Sequence, residues 1–567
     1  MLRIWKVFLA VLLVIVLASC GANGSPVDRL TTEPAARQTS TQGPTSESST
    51  PTSAPDQTPI SATKAGLTTT PPATLRLWID PLLPAALRKN VTYAANIRLV
   101  SDASQADFRL SFDAETDVNR IETLRWTYAL AARFPTVMDQ FSSGTLKQLW
   151  KGGDAQGHVL LLDAESRAVF AQLWGLPGDA RVKVLLPNQL VEAAWKDPLA
   201  LAILPFEEIG PRWKVLSVDG YSVFERGMDE GMYPLSVEVV LSAASPAAAG
   251  KGQVRLPPPN RDASKLLTLA MTGTTALVRG TAQMMNERGI DYPAKDIGPL
   301  LASADLTHIS NEVSFNPQCS PTRAASGEGI FCSAPDYLRL LEDVGTDVVE
   351  LTGNHNLDKG PAAFQYSLDQ FQMRHWLTYG GGTDLAEARK PLLIQRGDTR
   401  LAFLGCNMAG PDIAWAGAKT PGAATCDLDE MDAEVRTLRS QGVLPVVTFQ
   451  AFETEDYMPA PMQRPSDFMR LSTAGAVIVS GSQAHFPQGF NFQGDGFIHY
   501  GLGNLFFDQV EPQAIRRAFI DWHVFYGDQY LGVQLLTIMI EDFGRPRLMT
   551  AEERTEFLKD IYRANGW

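Results

Sequence analysis

The chain is poor in the residues from which most metal and nucleic-acid sites are built. Seven histidines and five cysteines are spread over 567 residues, with no Cys-x-x-Cys pair and no His-x-x-x-His spacing nearby. That argues against a zinc-ribbon or zinc-finger framework. Basic runs are also missing. The formal net charge is −14, and no aromatic-basic interleaving offers a phosphate track, so nucleic acid is not an expected partner. The Gly380-Gly381-Gly382 run lacks the Lys-Ser/Thr pair that follows in a P-loop, which leaves no nucleotide site there. The apolar run from Val7 to Ala18 is too short to span a bilayer comfortably.

What is present at the N-terminus points outward. Arg3 and Lys6 precede that apolar run, and Leu17-Ala18-Ser19-Cys20 supplies a small-residue cleavage site with a cysteine at the cut. This resembles a bacterial lipobox, in which Cys20 is acylated. The expectation is a signal peptide over residues 1–20 and an extracytoplasmic protein held to the membrane by lipid. Residues 21–73 are Ser, Thr, Pro, Gln and Gly with almost no large apolar side chain, so they predict a disordered tether. A coil of that length reaches about 40 Å. With Cys20 committed to lipid, Cys319, Cys332, Cys406 and Cys426 remain as two local pairs. In an oxidising compartment Cys319–Cys332 and Cys406–Cys426 are the expected disulfides, although four cysteines allow three connectivities.

The length exceeds what one core holds, so several domains are expected. Strands at Leu75–Asp80, Phe108–Phe112, His158–Leu162 and Val182–Leu186, with a helix near Val191–Trp195, predict an α/β accessory domain over 74–241. Its closing part, from Leu201 to Leu235, resembles phosphate-type periplasmic binding proteins. Residues 242–264, rich in Ala, Gly and Pro, read as a linker. From 265 to 567 helices alternate with apolar strands, the pattern of a layered α/β fold with active loops at strand ends. Thr550 with Glu553 predicts a capping box for a last helix that buries Leu558, Ile561 and Tyr562.

The most informative stretch is Leu351-Thr352-Gly353-Asn354-His355-Asn356-Leu357-Asp358. It follows the short apolar strand Asp347-Val348-Val349-Glu350, so the Gly-Asn-His corner delivers an amide oxygen and an imidazole at a strand end. Downstream lie Val479-Ser480-Gly481-Ser482-Gln483-Ala484-His485 and Ile498-His499-Tyr500-Gly501-Leu502-Gly503-Asn504-Leu505-Phe506-Phe507-Asp508. With the opening strand Leu266–Thr274, this ordered set resembles the CapA family of capsule-synthesis proteins associated with poly-gamma-glutamate. The resemblance runs from about Leu266 to Gln509 and implies a fold similar to the calcineurin-like metallophosphatases.

The resemblance also implies a metal site, and here the chain departs from the family. A two-metal centre needs a bridging carboxylate and several His, Asp and Asn ligands. The family's Gly-Asp is Gly273-Thr274 in this sequence, and a neutral hydroxyl cannot bridge two cations. The family's Glu has its counterpart in Glu312, while its Asn falls on Ser310 or Asn311. Asn354 and His355 match. The next strand-end His is Gln450, and Gly-His-His-Pro-His has become Gly481-Ser482-Gln483-Ala484-His485. One carboxylate cannot balance two divalent ions. One divalent metal on Glu312, Asn354, His355 and His485 stays open, as does a metal-free pocket. The uncharged Thr274, Gln450, Ser482 and Gln483 suit a polar ligand held by directional hydrogen bonds.

Three functions follow. The first is a membrane-anchored protein of the cell envelope handling an anionic polymer. The second is a single-metal hydrolase using Asn354, His355 and His485. The third is a binding module whose first domain captures a small anion. His308, His375 and His499 are expected to be structural, and Asp508 and Asn504 are expected to fix a turn.

Overall fold

The strand Leu266–Thr275 is buried at every position but one, and a strand buried on both faces must be covered on both. Its residues alternate accordingly. Leu267, Leu269 and Met271 pack with Phe403, Val446, Ile478 and Phe497, whereas Ala270 packs with Ala282, Met285, Leu301 and Leu340. One face therefore meets a second sheet and the other meets helices.

A computed structural model describes residues 74–567 apart from 113–118, 154–155, 179, 246–248, 250–252, 327–330 and 453. The expected signal peptide, Cys20 and the tether lie outside the described residues. The described residues fall in one compact unit.

Leu266–Thr275 lies within an eight-stranded sheet that runs Leu377–Tyr379, Val348–Glu350, Leu306–Asn311, Leu266–Thr275, Arg517–Tyr526, Gln529–Glu541, Arg545–Leu548. The short strand Asn504–Phe506 pairs beside its end. The first four strands are parallel. The facing six-stranded sheet runs Leu392–Arg396, Thr399–Asn407, Leu444–Gln450, Ile478–Gly481, Gly496–His499, Phe490–Gln493. Its four central strands are also parallel. This is a mixed α/β architecture in which the C-terminal ends of the parallel strands in both sheets meet.

The N-terminal half is built on a ten-stranded sheet. At its centre the long strand Arg120–Arg133 pairs antiparallel with Ser236–Ala243, Ala200–Pro205 and Trp213–Val218. The helix Ala164–Trp174 starts at Asp163, whose carboxylate accepts the Glu165 and Ser166 N–H groups at 2.7 and 2.9 Å. Such a cap satisfies donors that the helix cannot. Val254–Arg255, inside the stretch that reads as a linker, pairs with Thr92–Tyr93.

The two halves share a seam. Phe134, 2% exposed, sits edge-on to Phe490 and Phe492 at 5.4 and 5.0 Å and also meets Tyr562 and Trp567. Asp139 bridges Lys214 at 2.7 Å and Arg554 at 2.8 Å. The last helix, Ala551–Ala564, carries the expected capping box at Thr550 and Glu553 and buries Phe557, Leu558, Ile561 and Tyr562. Both expected disulfides are formed, Cys319–Cys332 with a Cα separation of 5.8 Å and Cys406–Cys426 with 5.0 Å. Among the described residues no helix is long and apolar enough to cross a membrane.

Several histidines lie buried between the sheets, each with a partner. His499 Nδ1 is 2.6 Å from Asp521 and His523 Nδ1 is 2.9 Å from the Tyr530 hydroxyl. Burial drives His308 down to about 3 and His523 down to about 4, so both are neutral in the folded protein.

Candidate functional site at the strand ends

Close backbone approaches create the site before any polar side chain enters. A Cβ at Gly273 would sit 1.9 Å from the Gly503 carbonyl oxygen, and one at Gly353 would sit 2.6 Å from the Glu312 Cα. Only glycine admits those contacts. They bring the end of Leu266–Thr275 against the segment before Asn504, and the Gly-Asn-His corner against Glu312. The register continues this row, with Thr274 beside Ser310 and Asn504, and Ser310 beside Glu350.

The four positions expected to line a polar pocket lie close together, and three of them share one chain of hydrogen bonds. Thr274 Oγ1 donates to the Ser482 carbonyl at 3.0 Å. Ser482 Oγ donates to Gln450 Oε1 at 3.3 Å, and Gln450 Nε2 donates to Asn354 Oδ1 at 3.2 Å. The chain thus ties the first sheet to the second through side chains that carry no charge. Gln483 follows directly, and its buried Oε1 has no hydrogen-bond partner among the described residues.

His355 and His485 are each held by Nδ1. Asp358 Oδ2 is 2.9 Å from His355 Nδ1, and Asn504 Oδ1 is 2.7 Å from His485 Nδ1. Burial alone would lower the His355 imidazole. The hydrogen bond to Asp358, together with the Glu312 and Asp358 charges, outweighs it and raises His355 above the ordinary histidine value. Glu312 is 3% exposed, and its Oε2 has no hydrogen-bond partner among the described residues. Asn504 Nδ2 likewise has no hydrogen-bond partner among the described residues. Asn504 was expected only to fix a turn, but it also orients a site histidine.

Several residues of this region were not singled out from the sequence. Arg279 adopts a left-handed backbone conformation, φ 49°, at the start of the helix Arg279–Arg288. Its guanidinium binds the Asp508 carboxylate, which also accepts the Gly280 N–H at 2.8 Å. It stands 5.0 Å from the Phe331 ring and 4.8 Å from the Phe507 ring. Those rings in turn lie 4.3 Å from His355 and 5.1 Å from His485. Asp508 therefore fixes an arginine as well as a turn. Glu350 is 1% exposed; burial raises its carboxyl, while the surrounding Thr352, Thr448, Ser482 and Ser310 hydroxyls pull it back. Beneath it, His308 Nε2 meets the Tyr379 hydroxyl at 2.8 Å, and Tyr379 meets Thr448 at 3.1 Å. Asp358, at i+3 from His355, was the one partner visible in the motif itself.

The donor set does not fit a two-metal centre. On the correspondence that the resemblance implies, Thr274 takes the place of the bridging carboxylate, and its hydroxyl is already donated to the Ser482 carbonyl. Among the described residues no three His, Cys, Asp or Glu side chains are gathered so as to hold a metal ion.

Residues 268–509 match the bacterial capsule synthesis protein PGA_cap family. The chain is 24% identical over 262 residues to the capsule biosynthesis protein CapA of Bacillus anthracis, covering 46% of this chain and 64% of that protein. It thus spans just under two thirds of that relative's length. It is 22% identical over 278 residues to the PGA biosynthesis protein CapA of Bacillus subtilis, covering 48% of this chain and 72% of that one. Among solved structures, a phosphatase from Mycoplasma pneumoniae aligns with a TM-score of 0.32 and 10% identity, over 48% of this chain and 94% of that one. The match to the bacterial capsule synthesis protein PGA_cap family thus covers residues 268–509, the part of the chain that carries the whole strand-end site.

Proposed function

We propose that the chain is exported, anchored to the membrane by lipid on Cys20, and handles an anionic capsule polymer such as poly-γ-glutamate at the cell envelope. Its two disulfides suit an oxidising, extracytoplasmic compartment. In this reading the strand-end site binds polymer and does not hydrolyse phosphoesters through two metals.

The observation that carries the reading is the set of unsatisfied polar atoms. Glu312 Oε2 and Gln483 Oε1 are buried acceptors and Asn504 Nδ2 is a buried donor, none of them partnered among the described residues. A buried polar group without a partner costs about 1–3 kcal/mol. An amide link offers one N–H and one C=O, which would satisfy one of the two acceptors and the Asn504 donor. The site would therefore recognise the amide backbone of the polymer, leaving its carboxylates in solvent away from Glu312, Asp358 and Asp508.

The test compares γ-linked with α-linked glutamate oligomers of equal length, titrated by calorimetry. Equal charge and different amide geometry separate backbone recognition from simple electrostatics. Tighter binding of the γ-linked oligomer, weakened by Gln483→Ala, supports the reading. Equal affinities, or none, refute it.

A second reading is a hydrolase with one divalent cation on Glu312, Asn354, His355 and His485. It is favoured by the Asp358 contact to His355 Nδ1, since metal-bound imidazoles use such carboxylate partners. A bound ion would supply Lewis acidity. Metal titration separates the two readings.

A further inference from the structure

A cavity of about 330 Å³ lies in the seam between the two halves and shares no residue with the strand-end site. The strand Trp213–Val218 brings Lys214 to its wall, and the strand Gln529–Glu541 brings Val533 and Leu535. Leu548, 48% exposed, and Met549 add apolar surface. The charged residues of the wall are Asp139, Lys214, Glu225 and Arg554.

Two of these cations share one carboxylate. Lys214 Nζ donates to the Thr136 carbonyl at 2.6 Å and pairs with Asp139 at 2.7 Å. Arg554 sets Nε and Nη2 on the same carboxylate, each at 2.8 Å, and its Nη1 donates to the Leu535 carbonyl at 2.7 Å. Glu225 is exposed to solvent. Burial lowers Lys214 to about 8, and the Arg554 charge adds to that against the pull of Asp139. The group around Asp139 therefore carries positive charge in excess. An independent observation points to a ligand as well. Tyr562, on the same wall, is only 5% exposed. Its ring packs edge-on against Phe134 at 6.3 Å. Burial raises its hydroxyl above the ordinary value, and the Arg554 and Asp139 charges act on it in opposite senses. The hydroxyl thus lies at the charged end of the wall. It has no hydrogen-bond partner among the described residues, yet it is not sealed from solvent as the orphaned atoms of the core are. Nearly buried polar groups are normally bonded, and this one is open to an acceptor that enters the cavity.

We propose that this cavity binds a small organic acid with an apolar body. Its carboxylate accepts the Tyr562 hydroxyl beside Lys214 and Arg554, and its carbon atoms pack on Val533, Leu535, Leu548 and Met549. Hydrogen bonds to an ionised acceptor are the strong ones, and an apolar wall with a few placed polar groups is what orients a small ligand. Because both halves contribute to the wall, the bound acid bridges the seam.

The experiment uses the full chain in lipid nanodiscs, titrated by calorimetry. Phenylacetate is set against 2-phenylethanol and 2-phenylethylammonium, which change only the head group, and against acetate, which lacks the apolar body. Phenylacetate should bind about tenfold more tightly than any of the other three, the factor that corresponds to about 1.4 kcal/mol. Tyr562→Phe, which removes only the hydroxyl, should weaken phenylacetate about tenfold, as expected for a hydrogen bond to a charged group. Leu548→Trp, at a half-exposed position that the core does not depend on, should fill the cavity and abolish that binding. Circular dichroism confirms that each variant is folded. Equal binding of the alcohol or of acetate, tighter binding of the ammonium ion, or no heat from phenylacetate at about 10 mM would overturn the proposal. Undiminished phenylacetate affinity in either folded variant would do the same.

Discussion

Restoring the family's residue types as Thr274→Asp, Gln450→His and Gln483→His should convert the strand-end site from indifferent to metal-dependent. Thr274 is 1% exposed, and its hydroxyl donates to the Ser482 carbonyl at 3.0 Å. Aspartate there removes the donor and sets a buried carboxylate against a carbonyl oxygen, at a cost of several kcal/mol. Gln450→His also breaks the bonds to Asn354 and Ser482. The metal-free triple variant should therefore be less stable than wild type. A divalent ion at 100 times its Kd would return about 2.7 kcal/mol by linkage. For a unit of roughly 500 residues the unfolding entropy is about 1 kcal/mol per kelvin, so the gain in Tm is only about 2–3 °C. Isothermal titration with manganese or zinc is thus the primary assay and thermal unfolding the secondary one. Wild type should show no tight binding of two ions, and the folded variant should show clear saturable binding. Two tightly held ions in wild type, or a folded triple variant with no gain in affinity, would refute the strand-end correspondence. One tightly held ion in wild type would instead favour the single-metal reading.

Three further outcomes are expected. Cys20→Ser should release the protein from the membrane fraction, and continued sedimentation with membranes would contradict a lipid anchor. The Cys406→Ala/Cys426→Ala double variant, which opens a loop of 20 residues, should lose about 3 kcal/mol in denaturant unfolding on chain-entropy grounds. A change below about 1 kcal/mol would show that the cross-link does little for the folded state. The third concerns Glu553, which hydrogen bonds and ion pairing with Arg547 hold down at about 2 in the folded chain. Because its folded value lies below the unfolded one, it contributes stability that is complete above about pH 5 and is lost as pH falls through about 2. Glu553→Gln should flatten the acid limb of the stability curve, and an unchanged limb would contradict the assignment.

The parts legible in the sequence were those written in local order. The Gly-Asn-His corner, the paired cysteines and the Thr550–Glu553 cap each join residues within about 20 positions of one another, and each is present in the structure. Arg279 was invisible for the opposite reason. Its partner Asp508 is 229 residues away, and nothing around an arginine after Ala276-Leu277-Val278 says that two phenylalanines will flank it. Glu350 likewise reads as the last residue of an apolar strand. Only the meeting of two sheets surrounds it with hydroxyls from Thr352, Thr448, Ser482 and Ser310. Gln450 and Asn354 were both identifiable, but the bond between them spans 96 positions and depends on how the sheets face each other.

That distinction also bears on what the family match implies for this chain. The corner is shaped by backbone: the Gly273 contact to Gly503 and the Gly353 contact to Glu312 leave no room for a Cβ whatever side chains surround them. The shape of the site therefore survives changes in its chemistry, and shared fold does not carry shared reaction. The chemistry rests on the donors, and here Thr274, Gln450 and Gln483 supply a hydroxyl and two amides. Those groups are not idle fillers. Thr274 and Gln450 bond across the sheets, whereas Gln483, Glu312 and Asn504 keep buried atoms with no hydrogen-bond partner among the described residues. A site that had only decayed would be expected to close over apolar residues or to satisfy all its polar groups internally. Under the proposed reading, cross-sheet bonds and unpaired hydrogen-bonding atoms together would let the site hold a polar chain in register without cutting it.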